Sequence, residues 1–229
     1  HGKWELPAPL SAPIQPWNLT YKGLGMEVQV GGSRHLGVFP EQAAHWDWMR
    51  ETIEGAGRPV RVLNLFGYTG LASLAAAQAG ASVTHVDASK KAVLWGQKNQ
   101  ELSKLNDRPI RWLVDDVEKF VRRDIRRGAH YDGLILDPPK FGRGPSGEVW
   151  EFFEAMTDLL ANCKTLLSDR PLFVILTAYA IRASALSIHY AMEAMVKDLG
   201  GTLEAGELTL QEQSAGRLLS MAIFARWRS

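Results

Sequence analysis

Apolar residues along this chain fall into short runs. Each run is closed by glycine, proline or aspartate and is followed by a stretch of helical spacing. Arg61-Val-Leu-Asn-Leu-Phe66 is rich in strand formers and breaks at Gly67-Tyr68-Thr69-Gly70. Residues 71–79 are alanine- and leucine-rich, a strong helix former stopped by Gly80. A second run, 82–87, ends in Asp87, and a third, 110–114, runs into Asp115-Asp116. After it, Val117, Phe120, Val121 and Ile125 recur with the period of a helix over 117–127. A fourth run, 131–136, reads as a buried strand and meets Asp137-Pro138-Pro139. Two prolines donate no ladder hydrogen bonds, so they end the strand in a rigid, extended corner. Strand, turn and helix in this order predict βαβ units on a parallel sheet.

The second half continues the alternation. The spacing predicts a long amphipathic helix over 149–163, a strand over 172–178 and a helix over 183–196 ended by Gly200-Gly201. Residues 202–210 and 218–227 alternate as a terminal antiparallel hairpin. Its loop, 211–217, is polar and can reach a substrate. At the other end, Pro7, Pro9, Pro13 and Pro16 make residues 1–17 an extended arm. Residues 18–54 read as a hairpin and helix, and 55–229 as one α/β domain.

Composition narrows the class. A chain of 229 residues with 46% hydrophobic residues can bury one large core. The single cysteine excludes a disulfide framework and fits a reducing, cytoplasmic compartment. No signal peptide and no run of membrane-spanning length is expected. His35, His45, His85, His130 and His189 are scattered, with no metal-ligand spacing. Net charge is +1, so electrostatics alone does not announce a nucleic-acid partner.

Chemistry-bearing residues collect at the strand ends, where open α/β sheets place ligands. Asp87 follows Gly67 by 20 residues, and a carboxylate there can accept both hydroxyls of a ribose. Only the outer glycines of a dinucleotide fingerprint, Gly67 and Gly70, are present, and there is no P-loop. The loop therefore suits a phosphate-free nucleoside such as S-adenosylmethionine better than a pyrophosphate. An acid at the third strand end can accept the adenine amine, and Asp is equally favoured there as a helix cap. Asp137 and the adjoining carbonyl can accept hydrogen bonds from an amine awaiting a methyl group. The same residues also suit a strand-ending turn with a solvated carboxylate.

Together these stretches resemble the class I S-adenosylmethionine-dependent methyltransferases, specifically the bacterial large-subunit ribosomal RNA methyltransferase group. The resemblance is carried by Val62-Leu-Asn-Leu-Phe-Gly-Tyr-Thr-Gly70, Val86-Asp-Ala-Ser-Lys-Lys-Ala92, Asn99-Gln-Glu-Leu-Ser-Lys-Leu-Asn106, Asp115-Asp-Val-Glu-Lys-Phe120 and Leu136-Asp-Pro-Pro-Lys-Phe141. Gly37-Val-Phe-Pro-Glu-Gln42 resembles the group's pre-motif, a short hairpin strand entering a helix over the cofactor. The likeness covers residues 18–229. It implies a Rossmann-like class I methyltransferase fold: a mostly parallel seven-stranded sheet with an antiparallel last strand, plus an N-terminal β-hairpin. It implies S-adenosyl-L-methionine as cofactor. Phe66, Gly67, Tyr68 and Gly70 would wrap its methionine part, Asp87 its ribose and Asp116 its adenine. Phe39 and Gln42 would close over it, and Asn64, Thr69, Ala88, Ser89, Val117 and Asp137 would complete the contacts.

Two departures from the group bear on substrate. Residues 1–17 cannot hold the RNA-binding domain of the PUA type that some members carry. Members that make 5-methylcytosine need a cysteine after the strand at 172–178, and Thr177-Ala178-Tyr179 has none. Cys163, on a helix, reads as a small buried hydrophobe. Methylation of a nitrogen of an RNA base, guanine favoured, is then expected, with Asp137, Pro138 and Lys140 as the catalytic corner. Lys140 stands where related amine methyltransferases place an aromatic residue, and Phe141 follows it. Lys22, Arg34, Lys140, Phe141 and Arg143 are the substrate candidates. Arg122, Arg123, Arg126 and Arg127 form either a phosphate-binding or a solvated helix face. Trp46, Trp48, Trp95 and Trp150 suit either core packing or stacking on a base. A methyltransferase acting on protein or a small molecule, and a non-catalytic adenosyl-binding or NAD-linked module, are the alternative readings.

Overall fold

The computed structural model describes residues 15–30 and 35–229. The proline arm therefore lies almost wholly outside the described residues, as does Arg34. Five strands run parallel: β3 (Arg61–Leu65), β4 (Ser82–Asp87), β5 (Ile110–Val114), β6 (Gly133–Leu136) and β9 (Phe173–Ala178). Strands β10 (Thr202–Gln211) and β11 (Leu218–Arg228) extend the sheet to seven in the order β10-β11-β9-β6-β3-β4-β5. β11 pairs antiparallel with both its neighbours, so the last strand alone runs against the rest.

Pleating sorts the core. Leu63 and Leu65 of β3, Leu134 and Leu136 of β6, and Val174 and Leu176 of β9 enter one cluster. Helices α4 (Val117–Arg126), α5 (Phe152–Thr165) and α6 (Ala185–Val196) cover it. The alternate residues Val62, Ile135, Phe173 and Ile175 enter the other, under α1 (Ala43–Glu54) and α2 (Leu71–Gln78). This two-residue period, with apolar residues on both faces, is the signature of strands buried between helical layers. Burying each such side chain contributes about 1.5–3 kcal/mol.

Where β6 pairs with β9, the Gly133 position tolerates only glycine. A Cβ added at Gly133 would lie 2.3 Å from the Phe173 ring, itself fully buried. Gly133→Ala is expected to cost about 2–3 kcal/mol through overpacking. That corresponds to a fall in Tm of roughly 4–12 °C, which a thermal melt would read directly. An unchanged Tm would mean that the ring has room to move.

An N-terminal hairpin, β1 (Trp17–Tyr21) and β2 (Leu24–Val28), turns at Lys22-Gly23, both with positive φ (46° and 85°). That is the two-residue turn whose twist matches paired strands. The hairpin is fastened to α3 (Lys90–Leu102) and the residue after it. Asn99 Oδ1 accepts from the Glu27 amide at 2.9 Å, and Ser103 Oγ bonds both backbone groups of Gly25 at 3.0 Å.

Two elements depart from the sequence reading. Residues 149–151 are not the start of the long helix but strand β8 (Val149–Glu151), paired with β7 (Phe141–Arg143). Trp150 Nε1 donates to the Pro139 carbonyl at 2.7 Å, and the Glu151 carboxylate caps α5 through the Glu154 amide. These bonds hold the segment extended, and the helix starts at Phe152. Residues 37–39 are likewise not a hairpin strand. They run as irregular chain into a 3-10 turn, Pro40–Gln42, that leads into α1.

Candidate active site

The site is built around the break after β3. Phe66 (φ 59°), Tyr68 (φ 49°) and Gly70 (φ 81°) adopt left-handed conformations within five residues. For the two aromatic residues this costs about 1–3 kcal/mol each and must be held by neighbours. Tyr68 N donates to Asp87 Oδ2 at 2.8 Å, and Gly67 N to the Val86 carbonyl at 3.1 Å. Thr69 Oγ1 donates to the Gly37 carbonyl at 2.7 Å, and Asn99 Nδ2 to the Thr69 carbonyl at 3.0 Å. Gly67 permits the tight turn, because a Cβ there would lie 2.3 Å from the buried His85 ring. At Gly70 both the positive φ and the Trp112 ring, 2.5 Å from a would-be Cβ, require glycine.

These bonds open a cavity of about 720 Å³ at the carboxyl ends of the strands, a size typical of small-ligand sites. Phe39, Phe66, Tyr68, Asp87, Ala88, Ser89, Asp116, Val117 and Asp137 line it, as do Pro138, Lys140 and Arg143. Gln42, Asn64, Gly67 and Thr69 border a smaller adjoining hollow instead. Asn64 is buried, and its amide donates to Ser73 Oγ, which in turn meets His85 Nδ1. Burial holds His85 neutral, its pKa lowered to about 3.

The paired aspartates divide their work. Asp116 lines the cavity and also caps α4, accepting from the Lys119 amide at 2.9 Å. Asp115 forms an ion pair with Arg123. Asp87 Oδ1 accepts from the Ser89 amide at 2.8 Å, so two backbone amides orient its carboxylate. Burial pushes its pKa up, against the pull of those amides.

The remaining acid of the cavity is Asp137. Gln42 Nε2 donates to its Oδ2 and also reaches the Tyr179 hydroxyl, both at 3.1 Å. Burial, with the charges of Glu41 and Asp87, raises Asp137 to about 8. Tyr179 is pushed up in the same way, by burial first and then by Asp137 and Glu41. It packs on Phe39 with ring centroids 5.2 Å apart. Trp150, a stacking candidate, also lines the cavity, as do Tyr179, Ala180 (φ 53°), His35 and Met221, which the sequence motifs did not point to as ligand contacts. A run that leaves a buried strand directly into a strained residue was the available signal at 179–180.

Other candidates lie elsewhere. Lys22 pairs with Asp47 of α1 at 2.8 Å rather than facing the cavity. Phe141 is 63% exposed beside the cavity, with the Lys140 ammonium 5.3 Å above its ring. Arg122, Arg123 and Arg127 pair with Glu118, Asp115 and Asp124, which favours the solvated helix face. Trp46 is buried, Trp95 donates to the Glu27 carbonyl and Trp48 lies under Arg226, so only Trp150 of the four borders the cavity. Burial raises the Cys163 thiol to about 12, which leaves it inert as a nucleophile. Among the described residues no cluster of acids, histidines and cysteines could hold a metal ion.

The wall chemistry is acidic and aromatic at the inner end and basic at Lys140 and Arg143. Its donor set suits a phosphate-free nucleoside with positive charge, since among the described residues no basic side chain is bonded to the glycine turn or to Asp87.

Comparison with known proteins agrees. Residues 8–195 match the S-adenosylmethionine-dependent methyltransferase family. A methyltransferase from Agrobacterium tumefaciens superposes with a TM-score of 0.95 at 47% identity, covering 99% of this chain and 74% of that one. The ribosomal RNA large subunit methyltransferase K/L of Pseudoalteromonas translucida is 37% identical over 52% of this chain and 17% of its own length. The ribosomal RNA large subunit methyltransferase I of Shewanella amazonensis is 33% identical over 56% of this chain and 32% of its own length. This chain thus spans a third or less of those two relatives. With the motifs, the sheet order and the cavity in agreement with the match, the chain belongs to the S-adenosylmethionine-dependent methyltransferase family.

Proposed function

We propose that this chain methylates a nitrogen of a base in ribosomal RNA, with guanine favoured. The observation that carries the reading is the corner at Asp137-Pro138, an acceptor pair at the inner end of a cavity that also carries Lys140 and Arg143. When bound, the cofactor supplies a methyl group on a positively charged sulfur. The protein's part is then mainly position and exclusion of water. Asp87 would accept the ribose hydroxyls and Asp116 the adenine amine. Phe66 and Tyr68 would flank the methionine part, with Gly67 and Gly70 shaping the turn. Residues 18–54 would cover the site, with Phe39 from above and Gln42 steadying Asp137.

Asp137 and the Pro138 carbonyl would accept hydrogen bonds from the amine and aim its lone pair. Transfer would join the methyl carbon to the nitrogen and leave the cofactor a neutral thioether, and the proton the amine sheds would pass to solvent. No covalent adduct with the protein is needed, in keeping with the inert Cys163. Lys140 and Arg143 would hold a backbone phosphate, and exposed Phe141 would stack on a neighbouring base. The names of the relatives support RNA as substrate, and action on ribosomal RNA would put the work in the cytoplasm.

Transfer of labelled methyl to fractionated RNA, protein and metabolite pools tests this. Label is expected in large-subunit ribosomal RNA and lost after RNase treatment. Affinity for single-stranded RNA should fall by about 0.7 log units per phosphate contact for each log unit of salt. Label in protein or metabolites with a flat salt dependence would move the assignment to those substrates.

A further inference from the structure

Strands β7 and β8 pair only with each other, outside the seven-stranded sheet. Gly142, Arg143, Gly144 and Trp150 of this hairpin line the cavity, together with Asp116 and Val117 at the start of α4. A two-stranded hairpin is marginal alone, so its anchors decide where it stands. At the root, buried Trp150 donates to the Pro139 carbonyl and packs on Phe66, with ring centroids 4.8 Å apart. At the tip, the Glu148 carboxylate forms an ion pair with Lys119 of α4 and accepts from the Ser146 amide at 2.9 Å. The Gly144 amide donates to the Glu148 carbonyl at 2.8 Å, which fixes the tip to its own anchor.

These anchors bring Gly144 against Asp116. A Cβ at Gly144 would lie 2.9 Å from Asp116 Oδ2 and closer still to Glu148 Oε2. The φ of Gly144 is not positive, so space rather than backbone conformation calls for glycine here. Asp116 Oδ1 accepts from the Lys119 amide, which leaves Oδ2, beside Gly144, to face a ligand. We propose that the β7–β8 hairpin walls the adenine end of the cofactor site, with Gly144 as its specificity-determining position and Glu148 as the residue that positions it. An unsubstituted 6-amino group would fit between the hairpin backbone and Asp116. A 6-amino group with a large substituent would have to push the hairpin away. The Lys119 side chain is 58% exposed, so its ion pair is a weak latch whose loss loosens the wall without unfolding the domain. The inference rests on the reading of Asp116 as the adenine acceptor given above.

Calorimetric titration tests it with two ligands, S-adenosylhomocysteine and its derivative carrying a benzyl group on the 6-amino nitrogen. The unmodified protein should prefer the unsubstituted ligand by about tenfold or more, the effect of overpacking a fitted wall. Glu148→Gln, close to isosteric, should narrow that preference by about threefold, the worth of an exposed ion pair. A purely structural role for Glu148 would move both affinities together and leave their ratio as it was. Gly144→Ala should weaken S-adenosylhomocysteine by about tenfold, because the added methyl displaces Asp116 Oδ2. Circular dichroism confirms that each variant is folded. Equal binding of the two ligands by the unmodified protein, an unchanged ratio in Glu148→Gln, or unchanged affinity in Gly144→Ala overturns the inference and leaves the cofactor reading standing. Failure of the unmodified protein to bind S-adenosylhomocysteine removes both.

Discussion

Asp137→Asn is expected to lower methyl transfer by at least about a hundredfold while making the protein more heat-stable at neutral and alkaline pH. The loss follows from removing a charged acceptor that orients the incoming nitrogen. The stability gain follows from the raised pKa. In the folded chain Asp137 titrates near 8, against an ordinary 3.8. Between those values the folded state holds a proton that the unfolded state has released, so stability falls as pH rises. The penalty is absent below about pH 4, grows through neutrality and levels off above about pH 8. Its ceiling is about 6 kcal/mol at 1.36 kcal/mol per unit. Solvent entering the open cavity reduces this to about 1–3 kcal/mol. Melts of both proteins from pH 4 to 9 should therefore coincide at the acid end and separate by about 2–12 °C at the alkaline end. A gap independent of pH would show that the carboxyl is ionised throughout. In the unmodified protein the same titration should make kcat/KM climb with pH towards about 8, since that parameter reports the free enzyme.

Asp87→Ala should weaken S-adenosylmethionine binding by at least tenfold, because a hydrogen bond to a charged group contributes about 1.5–3 kcal/mol. The structure adds a second cause. The same carboxylate fixes the amides of Tyr68 and Ser89, so its removal frees a turn in which Phe66 and Tyr68 sit at positive φ. Asp87→Asn separates the two, because its amide oxygen can still hold one backbone amide while the charge is gone. The far-ultraviolet circular dichroism of both variants should match the unmodified protein. Unchanged affinity by calorimetry in Asp87→Ala would end the ribose assignment.

The parallel βα units could be read in advance because their signals are local. A run such as 61–66 carries its own strand propensity, and glycines, aspartates and prolines mark where it stops. Strand ends are also where this architecture gathers its ligands, so Asp87, Asp116 and Asp137 could be named before their neighbours were known. What escaped depends on partners that no local pattern names. Residues 149–151 have helical spacing, and only pairing with 141–143 makes them extended. Lys22 looks free in sequence, and only the docking of α1 shows it Asp47. Asn64 borders the adjoining hollow, and its bond to Ser73 across the packed β3–α2 interface could not be read in advance. Tyr179 carries no motif, and its meaning comes from its place beside Gln42 and Asp137, which only the folded chain creates.

Asn99 gives the molecule a rule of assembly. Its one amide group spans the Glu27 amide, 72 residues before it, and the Thr69 carbonyl, 30 residues before it. The strained turn after β3 is therefore held by a helix that is also seated against the N-terminal hairpin. Neither the strand–turn–helix unit alone nor the hairpin alone can present a finished ligand surface. Competence to bind should arise as one late, all-or-none event in the maturation of the chain, and damage to the hairpin should be felt at the far side of α3.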